Sequence, residues 1–111
     1  MSSIVQSCSF CSGEQKVSHI GFTNELIFQQ ITSQYGGLTT VVFYYTTDRV
    51  RFAEIMVNNR LPSINVTFPI IPSHLNIGLL PLILNLCQGL NSIRIFNQNN
   101  CTPDFDRLVI Y

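Results

Sequence analysis

Gln34-Tyr35-Gly36-Gly37, running into Leu38-Thr39-Thr40-Val41-Val42-Phe43-Tyr44-Tyr45-Thr46, is the most explicit structural signal in the chain. Two adjacent glycines supply the positive φ angles that tight hairpin turns demand. Most of the residues after them are β-branched or aromatic, the composition of a strand. The segment before the turn, Leu26-Ile27-Phe28-Gln29-Gln30-Ile31-Thr32, fits either a short helix or a strand buried on both sides. The turn resolves it as a strand paired antiparallel with its successor. Further upstream, 16–22 alternates and Thr23-Asn24 turns the chain. Segments 16–22, 26–33 and 38–46 are therefore predicted to form a β-meander, with a loosely alternating first strand near 5–10.

Downstream the period changes. Val50, Ala53 and Val57, or Phe52, Ile55 and Met56, make a short helical face, so 48–58 reads as a helix or an irregular connection. Ile64, Val66 and Phe68 alternate in a strand that stops at Pro69, since proline cannot donate to a ladder. Pro72-Ser73 reads as a helix start, and Leu75, Leu79, Leu82, Ile83 and Leu86 follow at helical spacing. Pro81 would kink that helix or begin its regular part, and Gln88-Gly89 would cap it. A strand follows at 91–96, closed by the Asn-rich turn at 97–100. Thr102-Pro103-Asp104 carries three helix N-terminal signals, and Phe105, Leu108 and Val109 continue as an apolar stripe.

The expected fold is therefore α+β in a single domain, 1–111. It has a mostly antiparallel sheet of five to six strands, the meander first, and two helices of the C-terminal half packed on it. A competing organisation is a leucine-rich repeat, whose apolar spacing recurs at Val17/Ile20/Phe22, Leu38/Val41/Phe43, Leu61/Ile64/Val66 and Leu90/Ile93/Ile95. Its steps are unequal and its asparagine is missing, which favours the α+β reading.

Composition narrows the function. The 111 residues carry six basic and six acidic side chains, and only 11% are charged against roughly 25% in an average soluble domain. One lysine and five arginines are few for a nucleic-acid surface. At 46% apolar the chain is built for a core rather than for disorder, and a neutral apolar domain tends to bury surface on a partner. The N-terminus lacks a basic region followed by a long apolar run, and no window is apolar enough for a membrane span, so a soluble intracellular protein is expected. On that reading the sequons at Asn65 and Asn100 are accidents of sequence.

Catalytic signals are sparse. Cys8 and Cys11 have the spacing of a zinc knuckle or a redox pair, but no second close pair accompanies them, since Cys87 and Cys101 stand apart and His19 and His74 are distant. The six carboxylates are scattered, and Asp104 and Asp106 would face different ways on a helix. No metal, no cofactor and no catalytic residue is expected. The binding candidates are Tyr44 and Tyr45, which put one ring on each face of a strand, Tyr35 at the turn, and Arg49 and Arg51 after the strand.

At residues 13–43 the chain resembles the proteasome assembly chaperone 3 family. The likeness runs through Gly13-Glu-Gln-Lys-Val-Ser-His-Ile-Gly-Phe22-Thr-Asn-Glu-Leu-Ile-Phe-Gln-Gln-Ile-Thr-Ser and centres on Ser33-Gln34-Tyr35-Gly36-Gly37-Leu38-Thr39, placed on that family's glycine turn. Beyond these residues only the order of elements agrees. The resemblance implies a non-enzymatic chaperone of the cytoplasm, with the nucleus as a second compartment. It implies a heterodimer with a second small assembly chaperone of similar fold, binding proteasome alpha subunits and guiding alpha-ring assembly. The runner-up is a leucine-rich-repeat-like fragment acting as a substrate adaptor, and a small zinc protein using Cys8 and Cys11 is third.

Overall fold

The computed structural model describes residues 4–7 and 15–18 as backbone, and 20–22, 24–72 and 75–111 in full. Among the described residues every regular element is a strand. They are β1 (Ile4–Ser7), β2 (Gln15–Ser18), β3 (Leu26–Ser33), β4 (Gly37–Thr46), β5 (Arg51–Val57), β6 (Ile64–Phe68), β7 (Gly78–Leu86), β8 (Gly89–Phe96) and β9 (Asp104–Ile110). They form two antiparallel sheets, a five-stranded one in the order β1-β2-β9-β4-β7 and a four-stranded one in the order β3-β8-β5-β6. The architecture is a β-sandwich. The expected α+β class is thereby corrected to all-β.

Each misreading has a physical cause. The first expected helix is β7, whose leucines alternate: Leu84 and Leu86 are buried, while Leu79 and Ile83 are exposed. Apolar residues on both faces produce helical spacings by coincidence, and Pro81 is tolerated because β7 is an edge strand. The closing helix is β9. A register irregularity opposite Tyr44/Tyr45 lets Phe105 and Leu108, three apart, both pack on the core. The uncertain segment at 48–58 contains β5, where Ala53 and Ile55 point inward at period two. The strands expected at 26–33 and 38–46 exist, but they do not pair. β3 joins β8 and β4 joins β7 and β9, so the glycine turn crosses between layers and the meander is withdrawn. The first strand is described over Ile4–Ser7, and 8–10 lie outside the described residues. The repeat reading goes too, since the strands close a sandwich and do not stack as repeats.

The core lies between the sheets. Phe43 of β4 and Phe105 of β9 meet Phe68 of β6 edge-to-face, with ring centroids 6.3 and 5.3 Å from that of Phe68. Tyr45 joins at 5.1 Å and its hydroxyl donates to the carbonyl of Pro69 at 2.8 Å. Such edge-to-face pairs satisfy the ring quadrupoles, each worth about 0.5–1.5 kcal/mol beyond area burial. Among the buried polar side chains, Asn91 makes the widest set of hydrogen bonds. Asn91 is 3% exposed, and its Nδ2 donates to the carbonyls of Ile31, Cys87 and Gly89 while its Oδ1 accepts from the Cys87 N–H. It therefore ties β3 to the β7–β8 turn through groups that would otherwise be left without partners.

Candidate functional site

Antiparallel pairing gathers the β2–β3, β4–β5, β6–β7 and β8–β9 connections at one end of the sandwich. Three of them are stitched together. Gly21 bridges both Asn24 and Cys101. A Cβ on Gly21 would lie 2.3 Å from the Asn100 carbonyl oxygen, and its φ is +135°, so only glycine lets the two loops approach this closely. The Thr102 N–H donates to Ile20, and the Phe22 N–H donates to Asn97 at 2.6 Å. Asn97 in turn donates its side-chain Nδ2 to the carbonyl of Phe52, the second residue of β5, at 3.0 Å.

The result is a pair of exposed phenylalanines held through one asparagine. Phe22 is 57% exposed and Phe52 56%. Phe22 also adopts φ +54°, a left-handed angle rare for a bulky residue. A strained, solvent-facing aromatic is hard to explain by packing, and strain of this kind gathers at ligand contacts. Beside it run Asn97-Gln98-Asn99-Asn100. Amides present donor and acceptor together, which suits neighbouring hydroxyl groups, and an exposed ring face suits a patch of C–H bonds.

The residues singled out in the sequence are dispersed. Arg49 and Arg51 lie on or beside the β4–β5 connection at the loop end, where both guanidinium groups reach Asp48, at 3.5 and 3.1 Å. The Arg51 hydrogen bond holds the Asp48 carboxyl below the usual range. Tyr45 is buried, and burial pushes its hydroxyl pKa up. Tyr44 stands on the outer face of the five-stranded sheet, with the Arg107 guanidinium 4.2 Å over its ring. Tyr35 is exposed at the opposite end. Cys8, Cys11, His19 and His74 fall outside the described residues. Among the described residues no cluster of three metal-ligating side chains occurs. A cleft of about 280 Å³ opens near that opposite end between β5, β6 and β7, floored by Ile55, Val57, Ile64 and Leu84, and there Arg60 donates to the Asn85 carbonyl at 3.3 Å.

Sequence reasoning missed Phe22, Phe52 and Asn97. It placed Phe22 at a strand end and Phe52 on a helical face, and it took 97–100 for a plain turn. The run of four amides was the one available signal.

No family model matches the chain, and no curated protein does. Solved structures do match. A family 35 carbohydrate-binding module from Clostridium thermocellum superposes with a TM-score of 0.89 at 23% identity, over 97% of this chain and 86% of the module. The fold is shared with family 35 carbohydrate-binding modules. The module from Paenibacillus barcinonensis gives 0.88 at 21% identity, over 98% of this chain and 88% of that one. An exo-β-1,3-galactanase from Phanerochaete chrysosporium, solved with galactose, gives 0.88 at 28% identity. That match covers 98% of this chain but only 26% of the galactanase, so the chain spans about a quarter of that enzyme's length.

These matches overturn the resemblance to proteasome assembly chaperones. The helices it relied on are strands, and the structures that superpose end to end are named for carbohydrate binding. The assembly-chaperone function, the second small chaperone and the proteasome alpha subunits as partners are withdrawn with it, as is the adaptor alternative.

Proposed function

We propose that this chain is a non-catalytic carbohydrate-binding module that holds its glycan at the loop end, against Phe22 and Phe52. The observation that carries the reading is the end-to-end superposition on isolated binding modules at a TM-score of 0.89. A pyranose has a face of C–H bonds and a belt of hydroxyls, and the loop end offers ring faces and amides for both. Hydrolysis of a glycosidic bond asks for two carboxyl groups flanking it, one as acid and one as base or nucleophile. Of the carboxylates described at this end, Asp48 is paired with two arginines and Glu25 with Arg94 at 3.4 Å. Galactose-containing β-1,3-glycans are the first ligands to test, because the galactanase has the highest identity of the three structures compared.

Isothermal titration calorimetry with galactose, β-1,3-galactan oligosaccharides and a panel of plant and fungal glycans tests this directly. Binding in the micromolar to millimolar range is expected for at least one glycan. Phe22→Ala and Phe52→Ala should each weaken it about tenfold, ~1.4 kcal/mol, with the melting curve preserved. Silence across the whole panel, or undiminished binding by both variants, overturns the proposal.

A further inference from the structure

Phe22 precedes β3, Phe52 is the second residue of β5, and β8 lies between those two strands in the four-stranded sheet. Asn97 is the residue that follows β8. On one side its backbone carbonyl accepts from the Phe22 N–H at 2.6 Å. On the other its Nδ2 donates to the Phe52 carbonyl at 3.0 Å. Neighbouring strands lie about 4.7–4.9 Å apart, so the two phenylalanine backbones stand roughly 10 Å apart across the end of β8. Neither ring packs on another aromatic ring among the described residues. They are two separate platforms.

The turn Asn97-Gln98-Asn99-Asn100 begins between them. Asn97 Oδ1 accepts from the Asn99 N–H at 3.0 Å, and Asn100 Oδ1 accepts from the Cys101 N–H at 2.8 Å, which fixes the shape of the turn. Gln98 and Asn99 are exposed, and their side-chain amides meet no partner among the described residues. The order across the loop end is therefore ring, amides, ring.

We infer that the ligand is an oligosaccharide of at least three linked sugars, laid across the end of β8, and that Asn97 is the positioning residue that sets the distance between its two aromatic contacts. The inference rests on the loop end being the glycan site. A linked pyranose advances a glycan by about one strand spacing, so one sugar reaches one ring and three in a row reach both. The outer two sugars place C–H faces on Phe22 and Phe52, and the middle one turns its hydroxyls to the amides. Once the first ring is engaged, the second contact is intramolecular and costs little further freedom, provided the spacing is held. Asn97 holds it with one residue bonded to both sides. A glycan recognised along its chain, and not a lone terminal sugar, is what this spacing selects.

Titration calorimetry of the 111-residue chain with galactose and with β-1,3-linked galacto-oligosaccharides of two to five sugars is the test, repeated as a length series in any other glycan that the panel selects. Affinity is expected to rise about tenfold between one sugar and three and to stay level beyond. Phe22→Ala and Phe52→Ala should each bring the ratio of trisaccharide to monosaccharide affinity down toward one. Asn97→Asp keeps an oxygen for the Asn99 N–H but has no donor for Phe52, so it should lower the same ratio with both rings still present. Tyr35→Ala, at the opposite end, should leave the ratio as it is. Should Asn97→Asp fail to fold by circular dichroism, the native length series and the two phenylalanine variants still decide the matter. Equal affinity for one sugar and three overturns this inference and leaves the loop-end site standing, as does a ratio that survives both phenylalanine substitutions. A folded Asn97→Asp with the native ratio overturns the positioning role. Silence at every length in every glycan overturns the site itself and this inference with it.

Discussion

The backbone N–H of Phe22 donates to the carbonyl of Asn97 at 2.6 Å, and this bond holds an exposed ring at a left-handed backbone angle beside an amide-rich turn. A phenylalanine at φ +54° stores of order 1–3 kcal/mol that glycine would not. Phe22→Gly should therefore raise the melting temperature by a few degrees while weakening glycan binding at least tenfold. Thermal unfolding and calorimetry on the same sample check both halves. A variant that loses stability instead would show that the ring contributes more to packing than its exposure implies.

Asn91 is the interior polar residue on which the opposite end depends. Its Oδ1 accepts from Asn58 Nδ2 at 2.8 Å, and its Nδ2 serves three carbonyls, so Asn91→Ala should cost about 2–4 kcal/mol. Asn91→Asp should cost more near neutral pH, because a carboxylate would face those same carbonyls without a donor. Its folded-state pKa would then lie above the unfolded value near ~3.9. Stability is therefore retained below that value and lost as pH rises through the folded one. Urea unfolding at pH 3 and pH 7, shown by a flat difference between the two variants, would refute this account.

Gly78 of the edge strand β7 lies across from Tyr45, whose ring occupies the space a Cβ would need. The approach would be 2.6 Å to the ring's Cζ. Gly78→Ala should displace the ring, break its hydrogen bond to Pro69 and cost about 1–3 kcal/mol. Denaturant unfolding of Gly78→Ala and Tyr45→Phe should show the glycine change as the costlier of the two.

The same tyrosine has a pH signature. Burial raises the Tyr45 pKa, so the unfolded chain ionises first as pH climbs past about 10. Stability from this group is whole below that pH and falls as pH rises through the folded value. Tyr45→Phe should flatten the alkaline decline in a series of melts. A decline of equal steepness in both proteins would assign it to other groups.

Strands with a local signature were legible in the sequence. The alternation in 64–68 and 91–96, and the β-branched run after Gly36-Gly37, correspond to β6, β8 and β4. β7 was not, because a strand apolar on both faces has no alternation to detect. β9 was not, because its register irregularity converts period two into a spacing of three. The candidate site was almost wholly hidden. Phe22 stands out by its backbone angle and exposure, and Asn97 by the two segments it joins, neither of which is a property of a short stretch of sequence.

By itself the sequence determined a neutral, apolar, strand-forming chain with several strand positions and few clustered titratable groups. The tertiary structure alone decided which strands meet. Gly37 lies across from Leu86, and Leu26 across from Ile95, pairings between segments far apart in the chain. Such partners are chosen by which faces bury together, and that choice leaves no trace in either strand read alone. The loop end inherits its composition from the same choice, since its segments become neighbours only after the two sheets have closed.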